Sequence, residues 1–229
     1  MERPPNWLNL PEELIANILQ RLSFIEILNS ASKVKSAKIR RCGRSSMYHN
    51  WIIIVSRVVL KSTISLIMLS SKMKRLYIKS CDPELVTGGF IWAIKKLSQL
   101  EEFHLSRTYP TAKDIEDIGQ NCPQLKSFSM NQVCQHPQND DTALAIANNM
   151  PELRHLQVIG NCMTKIGLQA ILNGCAHLES LDLRMCYYLR FGGKFEKLCM
   201  ARIKDLKSPH DSMENCEFHQ DYDDCDIYD

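Results

Sequence analysis

Cys175-Ala176-His177-Leu178-Glu179-Ser180-Leu181-Asp182-Leu183-Arg184-Met185-Cys186 decides how this chain is read. Its frame is C-x-x-L-x-x-L-x-L-x-x-C, and the frame returns upstream. It recurs at Cys122, Leu125, Phe128 and Met130, ending in Val133-Cys134, and again at Met150, Leu153, Leu156 and Val158, ending in Asn161-Cys162. Leu97, Leu100, Phe103 and Leu105 form a fourth copy; Met73, Leu76, Ile78 and Cys81 form a fifth. The residues that anchor each short strand are Leu76, Phe103, Phe128, Leu156 and Leu181, spaced 27, 25, 28 and 25 residues apart. A fixed period of roughly 20–29 residues with this apolar frame marks a leucine-rich-repeat array. One such unit cannot cover its own apolar face, so the copies must stack.

Between the strands the period changes from two to that of a helix. Helices are expected over Glu84–Lys96, Thr111–Asn121, Asp141–Asn149 and Thr164–Gly174. Ile115, Ile118 and Cys122 recur at helical spacing, as do Leu168, Ile171, Leu172 and Cys175. Thr111 and Asp114 stand as a capping pair, and Pro123 and Pro151 follow their helices where a proline stops the turn. Strand and helix alternating at a fixed period give parallel strands with helices outside them. The cysteines of the frame (Cys81, Cys122, Cys134, Cys162, Cys175 and Cys186) are expected to be structural thiols packed under turns. Gly88-Gly89 and Gly192-Gly193 are read as turn residues.

Side chains alternate along a strand, so the anchors point inward and their neighbours line the concave face. That face is expected to carry Arg75, Tyr77 and Lys79; Glu102, His104 and Ser106; Ser127, Ser129 and Asn131; His155, Gln157 and Ile159; and Ser180, Asp182 and Arg184. A surface of mixed charge with a few rings suits recognition of a protein.

Charge is unevenly spread over the 229 residues. Ile27–Cys81 holds twelve Lys or Arg and no Asp or Glu, whereas Asp211–Asp229 holds eight acidic residues and no Lys or Arg. The acidic end is expected to be disordered from about Pro209. The opening lacks the order of a secretory signal, which points to an intracellular, reducing setting in nucleus or cytoplasm. The apolar run Trp51–Leu69 is broken by Arg57 and Lys61, so a buried strand and helix are expected there, not a membrane span. No phosphate loop, nucleophile elbow or two-His metal motif is found, and the seven histidines are scattered. Cys216, His219 and Cys225 fall short of the four ordered ligands of a structural zinc site. The reading is a non-enzyme without cofactor or metal; the basic stretch is a solvated face and not a nucleic-acid site.

Asn6–Arg41 has a different texture. Pro11 sits in the first turn of a helix, Glu12 and Glu13 favour its N-terminal end, and Leu14, Ile15, Ile18, Leu19 and Leu22 form an apolar stripe. Ile25, Ile27, Leu28 and Ala31 continue into a second segment, and Val34 lies in a third. So few residues cannot bury a core alone, so this module must lean on the solenoid or on a partner.

The run Asn6-Trp7-Leu8-Asn9-Leu10-Pro11-Glu12-Glu13-Leu14-Ile15-Ala16-Asn17-Ile18-Leu19-Gln20-Arg21-Leu22-Ser23-Phe24-Ile25-Glu26-Ile27-Leu28 resembles the opening of an F-box. With Met150–Leu156 and Gly167–Leu183, it makes the chain similar to plant-type F-box/leucine-rich-repeat proteins of the Cys-containing subfamily. The resemblance implies a right-handed α/β solenoid of about five repeats behind a small all-α F-box. It divides the chain into an F-box-like module (6–50), a shortened connector (51–72), the repeats (73–208) and an acidic tail (209–229). It also implies docking on the Skp adaptor of a cullin–RING ubiquitin ligase through Leu10, Pro11, Leu14, Ile15, Ile18, Leu19, Leu22, Ile27, Leu28 and Val34. A protein substrate would be held by Arg75, Tyr77, Lys79, Glu102, His104, Ser129, Asn131, His155, Gln157, Asp182 and Arg184. The likeness departs after Val34: Lys35 and Ala37-Lys38 stand where the family has a Cys and then a Trp that anchors the third helix.

Overall fold

The expected anchors become the rungs of one sheet. The computed structural model describes residues 39–40, 50–55, 73–80, 94, 97–132, 137–214 and 216. Its strands are β1 (Ile39–Arg40), β2 (Asn50–Val55), β3 (Arg75–Ser80), β4 (Glu102–Ser106), β5 (Ser127–Asn131), β6 (His155–Gln157), β7 (Ser180–Asp182) and β8 (Asp205–Lys207). They lie side by side in chain order; β1 is antiparallel to β2 and every later pairing is parallel. Leu76 pairs with Phe103, Phe103 with Phe128, Phe128 with Leu156, and Leu156 with Leu181. The ladder then runs past the five expected copies, to Trp51 on one side and Leu206 on the other. The sheet therefore begins inside the segments expected to be F-box module and connector, because Asn50–Val55 forms a rung in register with β3.

Helices follow the strands as α1 (Ala112–Asn121), α2 (Asp141–Asn149), α3 (Lys165–Gly174) and α4 (Gly193–Arg202). Three match the expected helical stretches to within a residue, and α4 begins at one of the glycines read as a turn. Of the helix expected over Glu84–Lys96 only Ile94 is described, and it is helical. Thr111 caps α1: its hydroxyl accepts from the Asp114 amide at 3.2 Å, and the Asp114 carboxylate accepts from the Thr111 amide at 2.8 Å. Such a box satisfies two amides that a helix start leaves without intrahelical partners.

The cap of α3 couples two repeats. Asp140 precedes α2, yet its carboxylate accepts from the Thr164 amide and hydroxyl, both at 2.7 Å, and from the Gly167 amide at 3.1 Å. Helix α2 thereby holds the first turn of α3. At the far end the helices touch backbone to backbone: a Cβ on Gly174 would overlap the Ala147 carbonyl.

The core lies between sheet and helices. Leu76, Phe103, Phe128, Leu156 and Leu181 form one buried file, and Ile78, Leu105 and Met130 form the next. Ile115, Ile118, Ile146, Leu168, Ile171 and Leu172 close over them from the helix side. Phe103 and Phe128 meet at 6.0 Å, tilted by 45°, a favoured aromatic arrangement.

The cysteines of the frame do what the spacing predicts where they are described as thiols. Cys122 and Cys175 terminate α1 and α3, and their thiols donate to the Leu97 and Met150 carbonyls at 3.6 and 3.4 Å. Cys186 donates to Val158 at 3.0 Å. Burial pushes these thiols up to about 12, 11 and 12, so they stay protonated and unreactive. Cys162 departs from the all-thiol expectation: it is disulfide-bonded, and its partner lies outside the described residues.

The acidic end also differs from expectation. Met185 donates to the Pro209 carbonyl at 2.9 Å, and Pro209 and Cys216 are buried. Ile159, Cys216, Met185 and Met213 form a small second apolar cluster. The segment is held because Arg184 gives its polar atoms to it: Nη1 donates to the Ser212 carbonyl at 3.0 Å, and Nη2 donates to Cys216 Sγ at 3.3 Å. Residues 209–214 and 216 are thus a strap over the sheet, and disorder does not begin at Pro209.

Candidate surface for protein recognition

In-register pairing sorts the outward side chains into files. One runs Arg75, Glu102, Ser127, His155, Ser180, Asp205; the next runs Tyr77, His104, Ser129, Gln157, Asp182, Lys207. Every expected face residue within β3–β7 whose side chain is described falls on this side of the sheet, and the structure brings most of them into contact.

At the β3–β4 end four of them share one carboxylate. Glu102 Oε1 accepts from Tyr77 Oη at 2.6 Å and lies 2.8 Å from His104 Nε2, while Oε2 is 3.0 Å from Arg75 Nε. The Tyr77 and His104 rings stack at 4.2 Å and 3° from parallel. The hydrogen bond from His104 lowers the Glu102 carboxyl most, Tyr77 and the Arg75 charge assist, and burial opposes them; the result is about 2. Glu102 is therefore a fixed anion at neutral pH, holding two rings flat and half-buried against the sheet. Rigid rings that lose little entropy on contact are what a protein-binding patch uses as anchors.

Beyond them the face opens into a depression of about 150 Å³ bordered by His104, Ser127, His155, Gln157, Ser180 and Lys207. Ser129 Oγ donates to Gln157 Oε1 at 3.3 Å beside it, and Ser180 Oγ donates to Asp205 Oδ2 at 3.2 Å on its far side. Asp205 and Lys207 belong to the surface yet escaped the sequence reading. The available signal was Ile203-x-x-Leu206, which repeats the spacing of Leu178-x-x-Leu181 without its cysteine.

Four of the expected contact residues are on this side but closed off. Ser129, Asn131, Asp182 and Arg184 are between 1% and 7% exposed. Asn131 Oδ1 accepts from the Ile159 amide at 3.3 Å, and Ile159 itself lies under the strap. Arg184 grips Asp182 through Nε–Oδ1 at 2.9 Å and Nη2–Oδ2 at 2.6 Å. Asn131, Asp182 and Arg184 brace the strap and Ser129 bonds to Gln157, which leaves Arg75, Tyr77, Glu102, His104, His155 and Gln157 open to a ligand. The side chain of Lys79 and the whole segment from Leu10 to Val34 lie outside the described residues. Among the described residues no group of three or more His, Cys, Asp or Glu is placed to hold a metal, and no helix is long and apolar enough to cross a membrane.

Parallel strands β2 to β8 in chain order, a helix in each turn from β4 to β8 and a repeated buried Leu frame define a leucine-rich-repeat-like α/β fold. The F-box domain family matches residues 7–34. F-box/LRR-repeat protein 22 of Arabidopsis thaliana is 34% identical over 95% of this chain and 81% of its own length. F-box protein SKIP19 of the same plant is 35% identical over 93% and 80%. F-box/LRR-repeat protein 23 is 36% identical over 90% of this chain, which spans only 54% of that relative. An internalin from Listeria monocytogenes overlaps 63% of this chain and 46% of its own at 15% identity and a TM-score of 0.38, too remote to inform the reading. The chain belongs to the F-box/LRR-repeat family.

Proposed function

We propose that this chain is the substrate-recognition subunit of an SCF-type (Skp–cullin–F-box) E3 ubiquitin ligase. The reading is carried by one juxtaposition: an F-box segment at 7–34 is continuous with a repeat sheet whose outer face is polar, ring-bearing and open. The F-box stripe, led by Leu14, Ile15, Ile18 and Leu19, is too short to bury itself and gains an apolar partner by docking on the Skp adaptor. The sheet face holds a protein target, and ubiquitin transfer is done by other subunits. The buried, protonated thiols of Cys122, Cys175 and Cys186 offer no nucleophile for thioester chemistry. The proposal places the protein inside the cell, in nucleus or cytoplasm, without cofactor.

The test is co-purification with a Skp-type adaptor and gel filtration at micromolar concentration. Leu14→Asp with Ile18→Asp puts two charges into the stripe and must abolish the complex. An unchanged complex in that variant would refute the assignment of the stripe. A second reading has its own observation: the family match stops at Val34, where Lys35 and Lys38 begin the departure from the F-box pattern. Losing a buried aromatic anchor costs about 2 kcal/mol or more, near thirty-fold in affinity. A folded chain that forms no adaptor complex would be a repeat-only binding scaffold.

A further inference from the structure

One residue before each strand from β3 to β8, the chain crosses the rim of the sheet, and these six residues form a ladder of their own. Glu101, Lys126, Arg154 and Glu179 each donate a backbone hydrogen bond to the carbonyl of the preceding rung at 2.8 Å, and Lys204 does so at 3.0 Å. The six are thus fixed side by side as Lys74, Glu101, Lys126, Arg154, Glu179, Lys204. Each glutamate is flanked by two cations. Glu101 lies 2.6 Å from Lys74 and 3.9 Å from Lys126; Glu179 lies 2.9 Å from Arg154 and 3.0 Å from Lys204. The order of signs is therefore plus, minus, plus, then plus, minus, plus.

The alternation breaks once. Lys126 and Arg154 sit on adjacent rungs, about 4.8 Å apart at the backbone, with no acid between them. Like charges on facing residues of neighbouring strands repel. Each group leans away toward its own glutamate and about half of each side chain is exposed, at 54% and 50%. The rim carries four cations and two carboxylates, and each triad leaves one positive charge unmatched. The depression adjoins this junction along the chain: the next residues on the two rungs, Ser127 and His155, line it.

We propose that the Lys126–Arg154 junction receives an aspartate or glutamate side chain of the protein target, whose flanking residues lie in the adjoining depression. A guest carboxylate there completes the alternation with two further cations, as Glu101 and Glu179 already do within the chain. The neighbouring groups Ser127, His155, Gln157 and Ser180 hydrogen-bond without adding a negative charge, and the carboxylates bordering the junction and the depression, Glu101, Glu179 and Asp182, are each already ion-paired within the chain. The target class is a segment with an acidic residue followed by polar residues. This rests on the sheet face being the target-binding surface.

The test uses the full chain and a fluorescein-labelled hexaglutamate peptide, followed by anisotropy at low salt, with hexaserine as the neutral probe. Lys126→Ser with Arg154→Ser removes the junction. Lys194→Ser with Lys197→Ser removes the same charge from the exposed surface of α4. The junction variant is expected to lose about ten-fold in affinity, the equivalent of two exposed charge pairs, while the α4 variant changes by less than about two-fold. Thermal unfolding of both variants checks that they fold; Lys126→Gln with Arg154→Gln replaces the first pair if it does not. Equal losses in both variants, no loss in either, or no binding by the parent chain overturns the proposal. Displacement by inorganic phosphate where acetate has no effect also overturns it, since the site would then be one for phosphate. Adaptor binding measured on the same proteins separates the two readings: a normal adaptor complex with unchanged peptide affinity in the junction variant sinks this inference alone.

Discussion

Replacing Arg184 with methionine tests whether the strap is held by charge. Arg184 is 5% exposed, and its two bonds to Asp182 are parallel and short, at 2.9 and 2.6 Å. Methionine keeps the stem and removes the guanidinium, which strands the Asp182 carboxylate in a buried position. Taking away one partner of a buried ion pair costs about 3–5 kcal/mol. Lys207 lies 3.9 Å from the same carboxylate and is half-exposed, so it supplies part of the lost charge and sets the expected cost near about 3 kcal/mol. That corresponds to a fall of about 6–12 °C in Tm for a domain of this size. Urea unfolding gives the energy, and amide exchange locates it: the Cys216 amide, which donates to the Met213 carbonyl at 3.0 Å, loses protection first. Asp182→Asn combined with Arg184→Met leaves neither charge alone, so the pair together costs less than the two single changes added. A loss under about 1 kcal/mol for Arg184→Met, with unchanged exchange over 209–216, would refute the electrostatic anchor and leave the strap to its apolar cluster.

Glu102 adds a pH dependence of definite sign. Its carboxyl is lowered from 4.5 to about 2, chiefly by His104, so its contribution to stability is complete above 4.5 and disappears as pH falls toward 2. With the group 22% exposed, solvent screening reduces the contribution to on the order of 1–2 kcal/mol. Glu102→Gln flattens that limb of an acid titration followed by circular dichroism. Gly174→Ala destabilises despite the better helix propensity of alanine, by about 1–3 kcal/mol, because the new methyl meets the Ala147 carbonyl. Gly192→Ala, with open space around it, is neutral in the same urea titration. Peptide mapping after treatment with Ellman's reagent finds Cys122, Cys175 and Cys186 unlabelled in the native chain and labelled once urea unfolds it.

The spacing of apolar anchors was enough to place β3 to β7, since Leu76, Phe103, Phe128, Leu156 and Leu181 each fall in register. Thr111 and Asp114 were legible as a cap because a capping box is local in sequence. The outer rungs were harder. Leu206 lacks both the cysteine before it and the second leucine after it, and Trp51 sits in a run so apolar that the two-residue period is hidden. Helix α4 hid behind Gly192-Gly193, where the turn signal and the helix start coincide.

A periodic fold makes some contacts computable from sequence and hides others for a physical reason. When each turn occupies 25 to 28 residues, the lateral neighbour of any strand residue is the one a repeat away. Glu102 therefore had to lie beside Tyr77's rung, and its bonds to Tyr77 and His104 follow from adjacent files. The rim ladder obeys the same rule, which is why its single interruption at Lys126 and Arg154 stands out. The strap does not obey it. Residues 209–216 share no spacing with the repeats, and their acidic, Ser- and His-containing composition reads as solvated chain. Only folding shows that Met213 and Cys216 bring apolar cover to Ile159 and Met185, and that Arg184 faces the Ser212 carbonyl. Alternation fixes which way a side chain points; whether that face is open depends on a segment outside the period. Arg184 had the right direction and the wrong surroundings, whereas Tyr77, His104 and His155, away from the strap, keep their access.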